Sequence, residues 1–263
     1  MIQAAAALPS RPDAPLLELR AIAQRFGGFQ VLHGVSFGAP AVGITGLMGP
    51  NGSGKTTLFN IVSGFLTPTA GEVRFDGRDI RGESVRQRSL GGLVRTFQTP
   101  KIFERLTVAE NVMVGGFKQG RSGFFAGLAS LPSSRREMAQ MRARAYETAV
   151  RFDLGAVFER PSSLLTAGQR RLLELARAYQ GRPRLLMLDE PSSGLTTTEI
   201  EVLISKLKLL AEEGIAILLV SHDMDLMGIA QTIHVLNFGR IIASGTMVDV
   251  QDDPAVREAY LGV

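Results

Sequence analysis

A glycine-rich segment, placed between an apolar run and a helical pattern, constrains the fold more than any other feature of this chain. It consists of Gly49, Pro50, Asn51, Gly52, Ser53, Gly54, Lys55, Thr56 and Thr57. This fits the pattern G-x-x-x-x-G-K-[ST], in which glycines let backbone amides close around phosphate oxygens and the following helix adds its dipole. Lys55 can then reach the β- and γ-phosphates, and the Thr56 hydroxyl can ligate Mg²⁺. The sequence therefore predicts a strand–loop–helix unit that binds a nucleoside triphosphate.

Apolar runs and helical patterns alternate along much of the chain. Antiparallel strands are predicted on either side of Gly27 and Gly28, near the N-terminus. Further strands are predicted at residues 42–48, 185–188 and 215–220, and helices at 56–63, 168–179 and 197–213. Strands that alternate with helices in this way indicate an α/β fold, with a mostly parallel sheet covered on both faces.

Residues 101–165 differ in composition from the rest of the chain. Their first half contains several glycines, namely Gly115, Gly116, Gly120, Gly123 and Gly127. An arginine-rich run follows at 133–152, with apolar residues at helical spacing: Met138, Met141, Ala145 and Ala149. We predict a helical insertion in the α/β core. Its arginines either form a solvated helix face or contact a partner or lipid headgroups.

Composition narrows the class of protein. The 263 residues suit one large α/β domain, and the absence of cysteine excludes disulfides, thiolate metal sites and cysteine nucleophiles. The net charge of +4 is compatible with an anionic ligand, nucleic acid or a membrane surface. No apolar run approaches the roughly 18 residues that span a bilayer. Residues 1–14 lack the features of a secretory signal and are expected to be a flexible tail, so we expect a cytoplasmic protein.

Two adjacent carboxylates, Asp189 and Glu190, follow the apolar run at 185–188. Alternation along a strand aims neighbouring side chains in different directions. Downstream of a phosphate loop, this pattern predicts that Asp189 holds Mg²⁺ through water. Glu190 is then the general base that polarises the water attacking the γ-phosphate.

With these motifs in place, the chain resembles ATP-binding-cassette (ABC) ATPases from about residue 15 to residue 263. A segment upstream of the acidic strand, Leu165-Thr-Ala-Gly-Gln169, is similar to the family signature Leu-Ser-Gly-Gly-Gln, with the serine and first glycine replaced. The resemblance implies that this segment completes the ATP site of a second ATPase subunit. The residues it offers in trans are Thr166, Ala167, Gly168 and Gln169. Thr166 keeps a hydroxyl that can donate to a γ-phosphate, and Gly168 is expected to open a helix.

The resemblance also implies roles for residues outside these motifs. Gln98 matches the family's glutamine loop, which touches Mg²⁺ or the attacking water and joins the core to the insertion. His222, after the apolar run at 215–220, matches the switch histidine, which contacts the γ-phosphate and orients the water or Glu190. Phe26 stands where the family places an aromatic ring against adenine; it is alternatively a core residue, and Phe29 competes for the role.

One position departs from the family pattern. Thr196 stands where the family usually has an aspartate or asparagine. With Glu199 it forms a capping-box pattern, so the start of the helix is preserved. The carboxylate that would cross to the partner is absent, and we hypothesise weaker coupling between paired ATP sites, which Thr196→Asp would test.

The implied fold is a P-loop (RecA-like) core with an N-terminal antiparallel β-subdomain, a helical subdomain at about 100–165 and a short C-terminal helix at about 254–262. The ending Val-Arg-Glu-Ala-Tyr-Leu-Gly262, the run after Gln169 and the long insertion resemble the larger ATPase of branched-chain amino acid importers. The implied partners are a second ATPase, two membrane permeases and, indirectly, a periplasmic solute-binding protein. This places the chain peripherally on the inner face of the cell membrane. Alternatives are a urea or amide importer, a lipid or polysaccharide exporter, and a soluble nucleic-acid-associated ATPase. ATPases of the last class usually carry long coiled-coil insertions or two cassettes in one chain, and this sequence has neither, so we expect no nucleic acid partner.

Overall fold

A computed structural model describes residues 14–116 and 132–261 of the chain. Its strands are β1 (Leu17–Phe26), β2 (Phe29–Ala39), β3 (Gly43–Met48), β4 (Ala70–Phe75), β5 (Arg78–Asp79), β6 (Leu93–Arg95), β7 (Leu185–Asp189), β8 (Ala216–Val220), β9 (Thr232–Asn237) and β10 (Arg240–Gly245). Its α-helices are α1 (Lys55–Ser63), α2 (Val85–Leu90), α3 (Val108–Gly116), α4 (Pro132–Arg151), α5 (Ala167–Gln180), α6 (Thr197–Glu212), α7 (Met224–Met227), α8 (Met247–Asp252) and α9 (Pro254–Leu261). Residues 1–13 of the predicted tail, three glycines of the insertion (Gly120, Gly123 and Gly127) and Gly262 lie outside the described residues.

The N-terminal strands form an antiparallel sheet, as predicted. The strand order is β2-β1-β4-β5, and Phe26 pairs with Phe29 across the turn at Gly27 and Gly28. This sheet packs its apolar side, including Leu17 and Leu19, onto the helix that follows the phosphate loop.

The central sheet has six strands in the order β10-β9-β3-β8-β7-β6. Neighbouring strands from β9 to β6 are parallel, and β10 is an antiparallel edge strand that the sequence reading did not foresee. All residues of β8 are buried, because both faces of the sheet are covered.

Alternate side chains of the central strands enter two separate apolar clusters. Leu186 and Leu188 point into a cluster with α3, α5 and α6, whereas Leu185 and Met187 point into a cluster with α1 and the antiparallel sheet. The predicted α/β architecture with both faces covered is thus confirmed. The carboxyl ends of β3, β7 and β8 lead into the loops that carry the candidate site.

The segment between β6 and β7 is mainly helical. It contains α3, α4 and two short 3₁₀ turns at Gly155–Val157 and Ser162–Leu164. On α4, Ala145 and Ala149 are buried, whereas Met138 and the described arginines of the run are exposed. The helix predicted from the apolar spacing is confirmed. That residues 100–165 form a distinct subdomain stays a prediction, and exposure of the arginines fits both interpretations offered above.

Most element boundaries differ from the predictions by one residue. Helix α5 begins at Ala167 because Thr166 is its N-cap, so Gly168 lies inside the first turn and does not open the helix. Among the described residues, no helix is both long enough and apolar enough to cross a membrane.

Candidate active site

The phosphate loop is shaped by contacts with the β9–β10 turn. Gly49 has φ 153°, and a Cβ at this position would lie 2.0 Å from the carbonyl oxygen of Leu236, so only glycine fits. The backbone N–H of Gly239 donates to the carbonyl of Ser53 (2.9 Å), and the Gly239 carbonyl accepts from the N–H of His33 (2.9 Å). The loop therefore rests on backbone from both sheets.

Lys55 is the first residue of α1 and folds back over the loop. Its Nζ donates to the carbonyl oxygens of Gly49 (2.6 Å) and Pro50 (3.0 Å). Burial lowers the pKa of Lys55, and the nearby carboxylates of Glu190 and Asp189 act in the opposite direction. The Lys55 ammonium thus lies between the loop carbonyls and two carboxylates. From this position it could neutralise part of the charge of a bound phosphate.

A cavity of about 700 Å³ opens above this loop. Its lining consists of Val31, Gly49, Pro50, Asn51, Gly52, Gly54, Lys55, Thr56, Thr57, Gln98, Asp189, Glu190, Val220, His222 and Tyr260. The structure therefore brings together the predicted loop residues, Gln98, the two carboxylates and His222, which are far apart in the sequence. Their catalytic and metal-binding roles stay predictions.

Asp189, the last residue of β7, makes a largely buried ion pair with Arg95. The Arg95 Nη2 atom donates to the Asp189 Oδ2 atom at 2.8 Å, with 7% and 14% of the two side chains exposed. Arg95 also donates to the Asn60 side chain (2.7 Å) on α1. Such a doubly anchored guanidinium fixes the carboxylate toward the loop.

Glu190 follows the strand in the left-handed region, with φ 47°. Its backbone N–H donates to the Val220 carbonyl at 2.8 Å, which ties it to the end of β8. In this conformation the side chain reaches His222 and lines the same cavity as that of Asp189. A non-glycine residue held at positive φ marks a position that its surroundings over-determine.

The signature segment lies outside the cavity, with Thr166 and Ala167 exposed. Thr166 Oγ1 accepts from the Gln169 N–H (3.2 Å), and Gln169 Oε1 accepts from the Thr166 N–H (3.1 Å). The Gly168 N–H donates to Glu199 Oε1 at 3.1 Å, and a Cβ on Gly168 would lie 2.5 Å from that oxygen. Its contribution to another subunit's site stays a prediction.

The predicted capping box at Thr196 is present. Thr196 Oγ1 accepts from the Glu199 N–H (3.4 Å), and Glu199 Oε2 accepts from the Thr196 N–H (3.0 Å). The pKa of Glu199 is lowered chiefly by the hydrogen bond from the Thr196 backbone N–H. The hydrogen bond from the Gly168 N–H lowers it further. Glu199 therefore joins the start of α6 to the start of α5.

The two aromatic candidates do not reach the cavity. Phe26 is 49% exposed and Phe29 is 72% exposed, and neither ring is part of the described lining. Phe26 is thus not a core residue, and its contact with adenine stays a prediction. Ser53 is also absent from the lining: its side chain is buried, and its Oγ atom has no hydrogen-bond partner among the described residues.

Sequence reasoning missed three residues at the site. Arg95 lies three positions before Gln98, but an arginine there carries no recognisable pattern. Val31 and Tyr260 line the cavity from β2 and α9. Burial, the largest effect, raises the pKa of the Tyr260 phenol, and the nearby backbone N–H of Gly49 acts in the opposite direction. The C-terminal ending that contains Tyr260 was noticed for its resemblance alone.

The donor set fits a nucleotide with Mg²⁺. Thr56, Gln98 and Asp189 offer the oxygen atoms that Mg²⁺ prefers. Within residues 14–116 and 132–261, no group of three or more His, Cys, Asp or Glu side chains could hold a metal ion. An ion here would therefore need phosphate oxygens as well, as is usual for Mg²⁺ at nucleotide sites.

Comparison with known families gives two matches. Residues 32–193 match the model described as ABC transporter. Residues 240–263 match a second model, described as branched-chain amino acid ATP-binding cassette transporter.

Individual relatives agree with these matches. The chain is 38% identical over 252 residues to the high-affinity branched-chain amino acid transport ATP-binding protein BraF of Pseudomonas aeruginosa, covering 94% of this chain and 98% of that protein. It is 39% identical to the corresponding protein LivG of Escherichia coli over the same number of residues, with the same coverage.

Solved structures show the same relationship in three dimensions. The ADP conformation of MJ1267, an ATP-binding cassette of an ABC transporter, superposes with a TM-score of 0.82 at 31% identity and covers 95% of this chain and 100% of that one. Three findings agree on the family: a family match over more than half the chain, relatives near 40% identity and this structural likeness. The chain belongs to the ABC transporter family, as one of its ATP-binding ATPases.

Proposed function

We propose that this chain is the ATP-hydrolysing subunit of an importer of branched-chain amino acids. The observation that carries the proposal is the C-terminal match at residues 240–263, because that model is described as a branched-chain amino acid ATP-binding cassette transporter. Identity of 38% and 39% to BraF and LivG, across 94% of the chain, supports the same branch. A urea or amide importer remains the second candidate, followed by a lipid or polysaccharide exporter, and a nucleic-acid-associated ATPase is the last.

The chain acts on the cytoplasmic face of the inner membrane, beneath two permeases and beside a second ATPase subunit. The exposed signature segment supports this pairing. Thr166 and Ala167 lie outside the chain's own cavity, so they are free to reach a nucleotide held by another subunit. A periplasmic solute-binding protein completes the system and delivers the amino acid to the permeases.

Within one site, the chain's residues divide the chemistry. The loop amides and Lys55 would hold the phosphates, and Thr56, Asp189 and Gln98 would hold Mg²⁺. When bound, Mg²⁺ would supply positive charge that offsets the charge of the phosphates. Glu190 accepts a proton from the attacking water, and His222 keeps the Glu190 carboxylate in place and contacts the γ-phosphate.

Hydrolysis then serves as a switch for the membrane partners. Each of the two ATP sites is formed by residues of both subunits. The closed pair therefore binds ATP more tightly than the open pair. This difference in affinity is the free energy that ATP binding supplies for a change in the permeases, and hydrolysis resets them.

The test uses the intact transporter. The tagged chain is purified from native membranes, its partners are identified by mass spectrometry, and the complex is reconstituted in liposomes with its solute-binding protein. ATPase turnover is measured with leucine, with urea and without solute. We expect two permeases, a second ATPase and stimulation by leucine; stimulation by urea alone, or capture of nucleic acid without permeases, would contradict the importer assignment.

A further inference from the structure

One face of α5 is directed at the backbone of the loop that carries Gln98. Arg171, Glu174 and Arg177 follow one another at intervals of three residues, so they lie on one side of the helix. All three contact backbone groups of residues 97–101. These residues form neither helix nor strand, and so they depend on outside partners for their hydrogen bonds.

Arg171 donates two hydrogen bonds to this loop. Its Nη1 atom donates to the Phe97 carbonyl at 2.8 Å, and its Nη2 atom donates to the Gln98 carbonyl at 2.6 Å. The planar guanidinium is suited to this, because its donors point in fixed directions. Two consecutive carbonyls are thereby held by one rigid group, and the second belongs to the residue predicted to reach the nucleotide.

Glu174 binds the complementary groups. Its Oε1 atom accepts from the backbone N–H of Phe97 (3.4 Å) and of Lys101 (3.1 Å), and its Oε2 atom accepts from Arg171 Nη1 at 2.7 Å. Arg177 donates to the Lys101 carbonyl. The loop is therefore held at both ends and through both kinds of backbone group.

The pair is unusually buried for two charged side chains, with 2% of Arg171 and 3% of Glu174 exposed. Burial raises the pKa of Glu174 and lowers that of Arg171, which shows the cost of removing these charges from water. A buried ion pair is weak evidence for stability, since apolar residues of similar volume serve the core as well or better. A role in fixing a particular geometry accounts better for its presence.

The N-terminal end of the same helix carries the signature segment. Thr166 caps α5 and Gln169 completes its capping box, five and two residues before Arg171. Thr166 and Arg171 therefore belong to one continuous hydrogen-bonded helix, through which a displacement of the loop at Gln98 would reach Thr166.

We propose that Arg171 and Glu174 are positioning residues that make the Gln98 loop and the signature segment one rigid body. Occupancy of the chain's own ATP site then sets the orientation of the segment that the chain offers to its partner. The role in the partner's site rests on the function proposed above, whereas the rigid connection itself does not.

The test compares two variants of the whole chain. In Arg171→Met with Glu174→Leu, both charges are replaced by apolar groups of similar size, so folding is retained while the loop loses its partners. The matched control is Arg88→Met. Arg88 is also buried and donates to backbone carbonyls, those of Ile61, Val62 and Ile80, but it contacts neither the Gln98 loop nor α5.

Hydrogen exchange measures the connection without any partner protein. We expect the amides of Phe97 and Lys101 to exchange at least about tenfold faster in the double variant than in the wild type, and the control to leave them unchanged. Equal exchange at these two amides in the wild type and the double variant would overturn the proposal.

A distance between two spin labels measures whether nucleotide binding at the Gln98 loop moves the signature segment. The chain has no cysteine, so Arg78→Cys on the edge of the antiparallel sheet and Ser163→Cys before the signature segment give a single labelled pair. We expect Mg²⁺ with the non-hydrolysable analogue AMP-PNP to change this distance in the wild type and in the control, but not in the double variant.

The affinity of the double variant for AMP-PNP is expected to stay within about twofold of the wild type, since the loop amides and Lys55 are untouched. A nucleotide-induced change of equal size in the double variant, or none in the wild type, would overturn the proposal, whereas loss of partner-stimulated turnover alone would concern the transporter assignment.

Discussion

The Oε2 atom of Glu190 lies 2.7 Å from the Nδ1 atom of His222 and also accepts from the His222 backbone N–H at 3.3 Å. The carboxylate is 17% exposed and the imidazole 76% exposed. A sheltered carboxylate is thus anchored by a histidine that faces the open side of the cavity. This geometry suits a general base that a residue sensitive to the phosphate can reorient.

Replacement of Glu190 by glutamine should separate binding from hydrolysis. The amide keeps the size of the side chain but cannot accept a proton from water, so we expect turnover to fall by about 10² to 10³ with little change in ATP affinity. Steady-state ATPase assays and fluorescent-nucleotide titrations measure the two quantities. Glu201→Gln, at an exposed position on α6, is the control. Wild-type turnover in Glu190→Gln would exclude Glu190 as the base.

Loss of Lys55 should act on binding. The Lys55 ammonium lines the cavity and donates to the Gly49 and Pro50 carbonyls of the phosphate loop, so Lys55→Ala should weaken MgATP binding by at least about tenfold. Isothermal titration calorimetry measures the affinity, and Lys208→Ala at an exposed position of α6 is the control. Unchanged affinity would show that the loop amides suffice.

Thr196 offers a test of coupling between paired sites. An aspartate at this position would place a second carboxylate beside Glu199, whose Oε2 atom lies 3.1 Å from Thr196 Oγ1. Thr196→Asn avoids this repulsion and can still cap α6. We expect Thr196→Asn to increase the Hill coefficient for ATP in the assembled transporter, and an unchanged coefficient would refute the hypothesis of weakened coupling.

Tyr260 should contribute to nucleotide affinity from the C-terminal helix. Its side chain lines the cavity, and Tyr260→Phe removes the one group of that side chain that can form a hydrogen bond with a nucleotide. A lost hydrogen bond of this kind corresponds to a roughly 2- to 10-fold weaker affinity for MgATP. Tyr146→Phe, on the exposed side of α4, should bind as the wild type does. Equal affinities in all three proteins would remove Tyr260 from the site.

His234 should make the stability of the fold depend on pH. It is buried against Phe37, its ring centroid 4.5 Å away, and its Nδ1 atom lies 2.8 Å from Ser244 Oγ. Burial lowers its pKa below the ordinary value of about 6.5, so the unfolded chain binds the proton more readily. The stability it contributes is complete above about pH 6.5 and declines as the pH falls.

Urea unfolding at pH 8.0 and at pH 5.5 measures this effect. The wild type should lose more stability between the two pH values than His234→Phe, which has no group to protonate at that position. A parallel decline in both proteins would assign the pH dependence to other groups.

The sequence predicted the parts of the site that depend on local pattern. The glycine spacing before Lys55, the apolar strand before Asp189 and the capping box at Thr196 are each set by neighbours within a few residues, and the structure has them all. The assignment of each catalytic role stays a prediction, because spacing identifies a motif without showing which atom faces the reacting group.

The contacts that sequence reasoning missed join distant segments. Arg95 meets Asp189 and Arg171 meets Phe97 through the packing of β6 against β7 and of α5 against the loop. A single arginine has no period or flanking pattern that would predict such a partner. Phe26 is a different case: its position suggested either a ring against adenine or a core residue, and the hairpin leaves it exposed beside Phe29 at the tip, so the contact with adenine stays a prediction.

The close approach of Gly49 to Leu236, together with the bond from Gly239 to Ser53, has a consequence for how the protein is made. The segment that cradles phosphate is translated early, but the backbone it rests on lies almost two hundred residues later. Because synthesis proceeds from the N-terminus, that cradle cannot reach its final shape until residue 239 has left the ribosome. A chain that ends before residue 236 therefore lacks the backbone that shapes this loop, and we expect nucleotide to stabilise the fold only once the chain is nearly finished.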